Sequence, residues 1–493
     1  MYFLGIDAGT SRIKAALIDD EGNQIDIASM PVKVLFPFEG ACEINMMELW
    51  NTMCKITRSL SQRNPQIWNK LVGIGITGQG DGLWPVDSKG KPVRNALLWN
   101  DTRTKNLKIS NRDDIDKICI KNFANPIYAG SAHILLKWLK EKEKENFKKI
   151  STILHCKDWL NFMLTGELVT DYSDASTALL NIFKKKYVAE ILEIMDLGKC
   201  EKLFPEAVPS TTIIGNVKKI ASNQTGIKEG IPVIAGAVDV AAVALGAGIK
   251  QNGEACTIVG TTLCNGIILD KNYIDFKNGM GICYIVPEKY MNLMPTLNGT
   301  STIDWIKNIF YPDLTFKQLE NRLLKVPLGS RGIVYHPYIY GERAPFKNSF
   351  ACGGFYGLKS THNKIDMVKA AYEGLVFSLY DCYQSLPQIY DMVYISGGGS
   401  KSKMLCQMIS DCLGKKVVRS IVKELGIAGI VSTLKVSLTH NNDFSGIKRK
   451  EETKFIPDLN KHIQYKRFYN IFKSLRIEME NFWKARNSEL YSN

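Results

Sequence analysis

The chain has 493 residues, 45% of them hydrophobic and 23% charged, which is the balance of a globular protein long enough for two domains with sizeable cores. No apolar run is long enough to span a bilayer and no basic leader precedes the first strand-like segment, so a cytoplasmic protein without membrane attachment is expected. The net charge of +14 sits in stretches such as KWLKEKEKENFKK and GIKRKEETK, where basic residues are not interleaved with aromatics; solvated faces are expected there rather than a nucleic-acid surface, in a field that favours anionic substrates such as nucleotides.

The opening MYFLGIDAGTSRIKAALID reads as two strands, 2–6 and 13–18, around a polar turn. Gly9 lets the backbone approach a ligand, Thr10 and Ser11 offer amides and hydroxyls to anionic oxygens, and Asp7 can hold a hydrated divalent cation. From this stretch alone, an ordinary surface hairpin reads equally well. GIGITG at 73–78 matches the dinucleotide fingerprint, but QGDGLWPVD follows where that fingerprint needs a helix. We read LVGIGI as a strand that leads into the loop TGQGDG. Gln79 and Asp81 are candidates for binding a polyhydroxylated ligand, Trp84 or Trp99 for its apolar wall, and a plain tight turn is the alternative for Asp81.

IPVIAGAVDVAAVALGAG is an apolar strand that delivers Asp239 into a helix of Ala, Val and Leu. Asp239 reads either as an N-cap or as a carboxylate poised at a strand's carboxyl end, with small Gly236 and Ala237 leaving room for a substrate. CTIVGTTLCNGII, 256–268, repeats the opening pattern of Gly-Thr-[Ser/Thr] between apolar runs. MVYISGGGSKSKML is a strand, a triple glycine (Gly397, Gly398, Gly399) and a helix, where a nucleotide can approach the backbone. KELGIAGIV adds Glu424, Gly426 and Gly429 as a glycine-assisted packing contact. Alternating strands and helices predict an α/β architecture of two similar halves, 1–246 and 247–493, with a phosphate-binding hairpin on each wall of a central cleft.

Twelve cysteines without a C-x-x-C pair and six scattered histidines offer neither a disulfide framework nor a zinc cluster. The N-x-T sequons at Asn223 and Asn298 carry no meaning in a protein not expected to be secreted. There is no Walker A lysine motif, H-E-x-x-H, G-x-S-x-G or H-R-D set.

Taken in order, these pieces resemble the FGGY family of carbohydrate kinases, with their duplicated actin-like (ribonuclease H-like) ATPase fold. The resemblance covers nearly the whole chain: GIDAGTSRIKAAL, ALLWNDTRT, HCKDWLNFMLTGELVTDYSDAS, AGAVDVAAVALGAG, VGTT, GERAPF, VYISGGGSKS and IPDLNKHIQYKRFY. GGFYGLKSTHNKIDMVKAAYE, 353–373, fits the family's second signature throughout. The first signature departs around GSAHILLKWL, where Ala132 and Leu135 replace the usual Pro/Ser/Thr and Lys.

The resemblance implies ATP and Mg²⁺ as cofactors. It places Asp7, Gly9, Thr10, Ser11 and Lys14 in the first phosphate and metal motif, and Gly260, Thr261 and Thr262 in the second. Gly398, Gly399, Ser402 and Gln407 would line the adenosine pocket. Asp239 would be the catalytic base, with a share in metal and substrate binding beside Gln79, Asp81 and Trp99.

The loop Gln79-Gly80-Asp81-Gly82 is most similar to that of erythritol kinases, then of L-xylulose kinases. The expected reaction is ATP-dependent phosphorylation of a tetritol or of a pentulose such as L-xylulose. Xylulose or glycerol as substrate, a chaperone or filament ATPase, and a sugar sensor are the alternatives; the retained Asp7 and Asp239 speak against a sensor. The expected partners are the sugar or polyol and, at most, a second copy in a homodimer, with no nucleic acid and no membrane.

Overall fold

The structure is a computed structural model that describes residues 1–105, 107, 109, 112–274, 279–439, 443–447 and 451–491. Residues 448–450 of the basic stretch GIKRKEETK lie outside it. The chain divides into two compact units: 1–250 with 281–291 and 422–448, and 251–280 with 292–421 and 449–493.

The first unit is built on a seven-stranded sheet. Tyr2–Ala8 runs antiparallel to Arg12–Asp19, with Asp7 opposite Lys14, and parallel to Leu71–Gly78, with Asp7 opposite Thr77. Ala237–Val238 lies parallel on the other side of Leu71–Gly78, pairing Ala237 with Thr77. Pro232–Ile234 and Ile213–Asn216 extend that side, and Gln24–Pro31 closes the opposite edge.

Glycines decide how the helix Leu425–Thr439 seats on this sheet. A Cβ on Gly5 would stand 2.7 Å from Ile427 Cγ2, one on Gly73 2.9 Å from Leu434 Cδ1, and one on Gly75 3.0 Å from Ile430 Cγ1. Gly5 and Gly75 are register partners across neighbouring strands, and residues 73 and 75 share one face. The G-x-G of GIGITG is thus a helix-seating surface on a continuous strand, as its reading against the dinucleotide fingerprint requires.

The helix meets Asp239–Gly246 just as closely. A Cβ on Gly429 would fall 1.8 Å from Ala242 O, and one on Gly246 2.0 Å from Leu425 O.

The second unit repeats the motif. Ala255–Val259 runs antiparallel to Leu263–Asp270 and parallel to Met392–Ser396, which lies parallel to Lys416–Ser420. The helix Lys364–Gln384 is buried along most of its length and centres this unit's core, which includes Tyr338, Phe472 and Trp483. Among the described residues, no helix is long and apolar enough to cross a membrane.

Candidate active site

In the first unit, three parallel strands deliver their carboxyl ends to one place. Asp7 comes from the first, Gln79 and Asp81 follow the second, and Asp239 follows the third. Open α/β sheets bind ligands at such ends.

Asp7 sits over the start of the 425–439 helix, close enough that a Cβ on Gly426 would stand 3.0 Å from its Oδ2. Burial pushes its pKa up to about 6, with Lys14 opposing and Glu424 adding to the rise. Lys14 Nζ pairs with Glu424 Oε2 at 2.7 Å, so Glu424 orients the lysine as well as starting the helix segment.

Asp239 is the first helical residue; Val238, not Asp239, holds the N-cap position. Its Oδ1 accepts the Val240 amide at 2.7 Å. Burial, then the charge of Asp7, pushes its pKa up to about 7. Two desolvated carboxylates, the charge of Asp7 raising Asp239, are a donor set that a divalent cation would relieve.

Gln79 Oε1 accepts the Thr10 hydroxyl at 3.0 Å, and Trp99 Nε1 donates to the same Thr10 oxygen at 3.1 Å. The Thr10 hydroxyl thus ties the turn after the first strand to the loop that carries Gln79 and Asp81. Gly9 and Ser11 complete that turn. Trp99 is partly exposed here, whereas Trp84 is wholly buried in the unit's apolar core and forms no ligand wall. Asp81 has a left-handed backbone, φ 59°. Its Oδ1 accepts the Ala132 amide at 3.0 Å, and burial pushes its pKa up to about 7.

Beneath this loop lies a buried polar cluster that sequence reasoning missed. Lys157 Nζ, fully buried, contacts Asp158 Oδ1 at 2.5 Å, Asp171 Oδ1 at 2.9 Å and Asp174 Oδ2 at 3.4 Å. His155 Nδ1 lies 3.1 Å from Asp158 Oδ2. Burial pulls the His155 pKa down, but the Asp174 and Asp158 carboxylates win and hold it up at about 9. His155, Asp158 and Asp174 could be taken for a metal trio, but the Lys157 ammonium already supplies the cation.

The cluster reaches both site elements. The Asp81 amide lies 3.4 Å from Asp174 Oδ1. The Val238 amide donates to Ser173 Oγ at 2.9 Å, and Ser173 Oγ donates to Asp171 Oδ2 at 2.6 Å. The sequence signal was a Lys-Asp pair inside the apolar helix pattern of HCKDWLNFML, which periodicity places without revealing its partners.

In the second unit, Gly260, Thr261 and Thr262 form the turn between Ala255–Val259 and Leu263–Asp270. Gly397, φ 85°, packs against Val259 O, and Gly399 against the Val259 side chain; Gly398 alone of the three has nothing within 4 Å of its Cβ position. Ser402 caps the helix Lys403–Leu413 by accepting the Leu405 amide at 3.0 Å. Gln407 Nε2 donates to Asp411 Oδ1 at 2.7 Å and Ile456 O at 2.8 Å. Both side chains expected around adenosine are therefore engaged within the protein.

Each unit thus sets a Gly-Thr turn between antiparallel strands, beside a parallel strand that ends in small residues. That duplication is the actin-like ATPase fold of sugar and glycerol kinases. The chain belongs to the FGGY family of carbohydrate kinases: the family's N-terminal domain matches residues 2–246 and its C-terminal domain residues 255–435. It is 28% identical over 490 residues to a probable L-xylulose kinase from Haemophilus influenzae, covering 97% of this chain and 99% of that one. It is 29% identical over 491 residues to a xylulose kinase from Bacillus subtilis, covering 96% of each. The solved structure of a ligand-bound xylulose kinase from Lactobacillus acidophilus has the same fold, with a TM-score of 0.90 at 24% identity over 97% of this chain and 98% of that one. The protein is a carbohydrate kinase.

Proposed function

We propose that the chain transfers the γ-phosphoryl group of ATP to a hydroxyl of a pentulose, L-xylulose first, with an erythritol-like tetritol as the second reading. The observation that carries the phosphotransfer is the pair of desolvated carboxylates, Asp7 and Asp239, at the ends of the two strands that flank Leu71–Gly78, beside a Gly-Thr turn. The pentulose reading is supported by full-length relatives named for L-xylulose and xylulose. The tetritol reading is supported by the loop sequence Gln79-Gly80-Asp81-Gly82.

Phosphoryl transfer asks the protein for positioning, charge neutralisation and one base. The substrate hydroxyl oxygen bonds to the γ-phosphorus as the bond to the ADP oxygen breaks. Asp239 takes the hydroxyl proton on Oδ2, since Oδ1 is held by Val240; a pKa near 7 suits a base working at neutral pH.

A bound Mg²⁺ would neutralise phosphate charge, with Asp7 and Asp239 as its holders through coordinated water. Gly9, Thr10, Ser11 and Lys14 serve one set of phosphate oxygens, and Gly260, Thr261 and Thr262 another. The turn at Gly398 and Gly399, continued by Ser402 and Gln407, serves the adenosine. Gln79, Asp81 and Trp99 select the acceptor.

The test is a coupled ADP-release assay over pentuloses, pentitols, tetritols and glycerol. L-xylulose is expected to give the highest kcat/KM. ATP turnover that no acceptor stimulates would sink the kinase reading, and erythritol outpacing every pentulose would replace the first substrate by the second.

A further inference from the structure

The turn at Gly260, Thr261 and Thr262 is moulded from behind by segment 296–301. The Thr300 amide and hydroxyl both donate to Gly260 O, each at 2.9 Å, and the Ser301 hydroxyl donates to Thr261 O at 2.8 Å. Leu263 and Thr296 exchange bonds at the turn's far end, 2.8 Å from the Thr296 amide and 3.1 Å to its hydroxyl.

In a trans peptide the carbonyl and the following N–H point to opposite sides. Fixing the Gly260 and Thr261 carbonyls on segment 296–301 therefore turns the Thr261 and Thr262 amides away from it. Those are the donors a phosphate would use. A Cβ on Gly299 would stand 2.6 Å from Thr261 O, so the segment already lies at backbone contact and any shift in it moves the turn.

What holds segment 296–301 is a carboxylate. Glu342 is 1% exposed. Its Oε1 accepts the Leu297 amide at 2.8 Å and the Arg343 amide at 2.9 Å, and its Oε2 accepts Asn298 Nδ2 at 3.3 Å. Asn298, also buried, donates to Gly341 O at 2.8 Å, and its carbonyl accepts the Thr296 hydroxyl at 2.6 Å. Burying a carboxylate is costly unless N–H groups surround it, and the Glu342 carboxylate, beyond the amide of its neighbour Arg343, is held by Leu297 and Asn298. GERAPF, quoted above only as a point of likeness, thus reaches the phosphate turn through two relays.

We propose that Glu342 is a positioning residue for the second phosphate turn, setting its amides for an anionic oxygen without touching the nucleotide. The proposal rests on the reading of Gly260, Thr261 and Thr262 as a phosphate motif. The test titrates the full-length protein, in magnesium buffer, with ADP and separately with adenosine in a calorimeter. Wild type is expected to bind ADP more tightly than adenosine.

Glu342→Gln keeps an oxygen for Leu297 and Arg343 but turns an N–H toward Asn298. It should cut the ADP-to-adenosine affinity ratio about tenfold, the scale of one charge-assisted hydrogen bond, with adenosine affinity unchanged. A merely structural role would move both ligands together or neither. Asn298→Ala removes the same tie from the other side, should lower the ratio likewise, and decides the matter where Glu342→Gln fails to fold. A folded variant with the wild-type ratio overturns the positioning role. A wild type with no preference for ADP overturns the reading of the turn itself, and this role with it.

Discussion

Asp81 Oδ1 accepts the backbone N–H of Ala132 at 3.0 Å, so the loop Gln79-Gly80-Asp81-Gly82 caps the helix Ala132–Lys142. Ser131 stands at the N-cap position of that helix, yet its side chain makes no capping bond. Ala132 is also one of the two positions where the chain departs from the family's first signature. The departure and the unusual loop Gln79-Gly80-Asp81-Gly82 therefore meet in one hydrogen bond. A carboxylate fixed by a helix amide can read a ligand hydroxyl from a set position.

Asp81→Asn keeps the acceptor for Ala132 and removes a buried charge. The folded pKa of Asp81 is raised to about 7, so between its unfolded value and pH 7 the folded state binds the extra proton. Wild type accordingly loses stability as pH rises from about 4 to about 7, and the loss stays constant above that. The variant should melt at a higher temperature than wild type at pH 8, with the gap closing as pH falls to 4. Its KM for the sugar should rise while its KM for ATP holds. A gap that widens toward acid, or equal changes in both KM values, would return Asp81 to a turn residue.

Ser173 joins the Lys157 cluster to Val238, the neighbour of the proposed base Asp239. Ser173→Ala leaves the buried Val238 amide without its partner, which costs about 1–3 kcal/mol of stability. Because Val238 precedes Asp239, kcat should fall between about tenfold and a hundredfold, the scale of a misplaced reacting group, with the KM for ATP unchanged. Denaturant unfolding and steady-state kinetics measure the two effects together. Lost stability with wild-type kcat would make Ser173 a scaffold residue only.

The helix contact at Gly429 tolerates no side chain. Gly429→Ala would drive a methyl against Ala242 O, 1.8 Å away, and helices pinned at a second glycine contact, Gly246, cannot part locally. A loss of about 3 kcal/mol or more is expected in urea unfolding, at the upper end for overpacking. Gly198→Ala is the control: nothing lies within 4 Å of its Cβ, and its stability should stay within about 0.5 kcal/mol of wild type. Equal behaviour of the two would show that the two helices can part to admit a methyl group.

What was legible in the sequence is what is local. A Gly-Thr turn between two apolar runs, an aspartate at a strand-to-helix junction and a triple glycine before a helix each carry their geometry within a dozen residues. What was not legible depends on partners far along the chain. Gly5, Gly73 and Gly75 are explained by Ile427, Leu434 and Ile430, hundreds of residues away, and no strand pattern announces that. Nothing in HCKDWLNFML announces that Asp171 and Asp174 lie against Lys157. Trp84 lost its place as a ligand wall to burial, and Ser402, read for the adenosine pocket, is also the N-cap of its helix, as serine often is. Asp239 lies one residue inside the boundary that its capping alternative required, within the ordinary slack of helix ends.

That one-residue shift sharpens the test of Asp239. Its carboxylate does not cap the helix from outside but accepts the amide of its own neighbour, Val240, through Oδ1. Asn can keep that bond with its carbonyl oxygen, and it places an NH₂ where Oδ2 stood, so it cannot take the substrate proton. Asp239→Asn should therefore lose about two to four orders of magnitude in kcat, the contribution of a positioned base. Removing a desolvated charge beside Asp7 should at the same time leave the fold as stable as before, or more so, at pH 8, since the raised pKa marks the ionised form as the unfavourable one there. Adenosine binding should be unchanged. Single-turnover phosphorylation and a thermal melt on one preparation separate the two roles. An Asn variant within about tenfold of wild type, which is about 1.4 kcal/mol of barrier, would mean that the proton leaves by another route. A crippled variant with undiminished melting temperature and an unchanged Mg²⁺ requirement identifies Asp239 as the base.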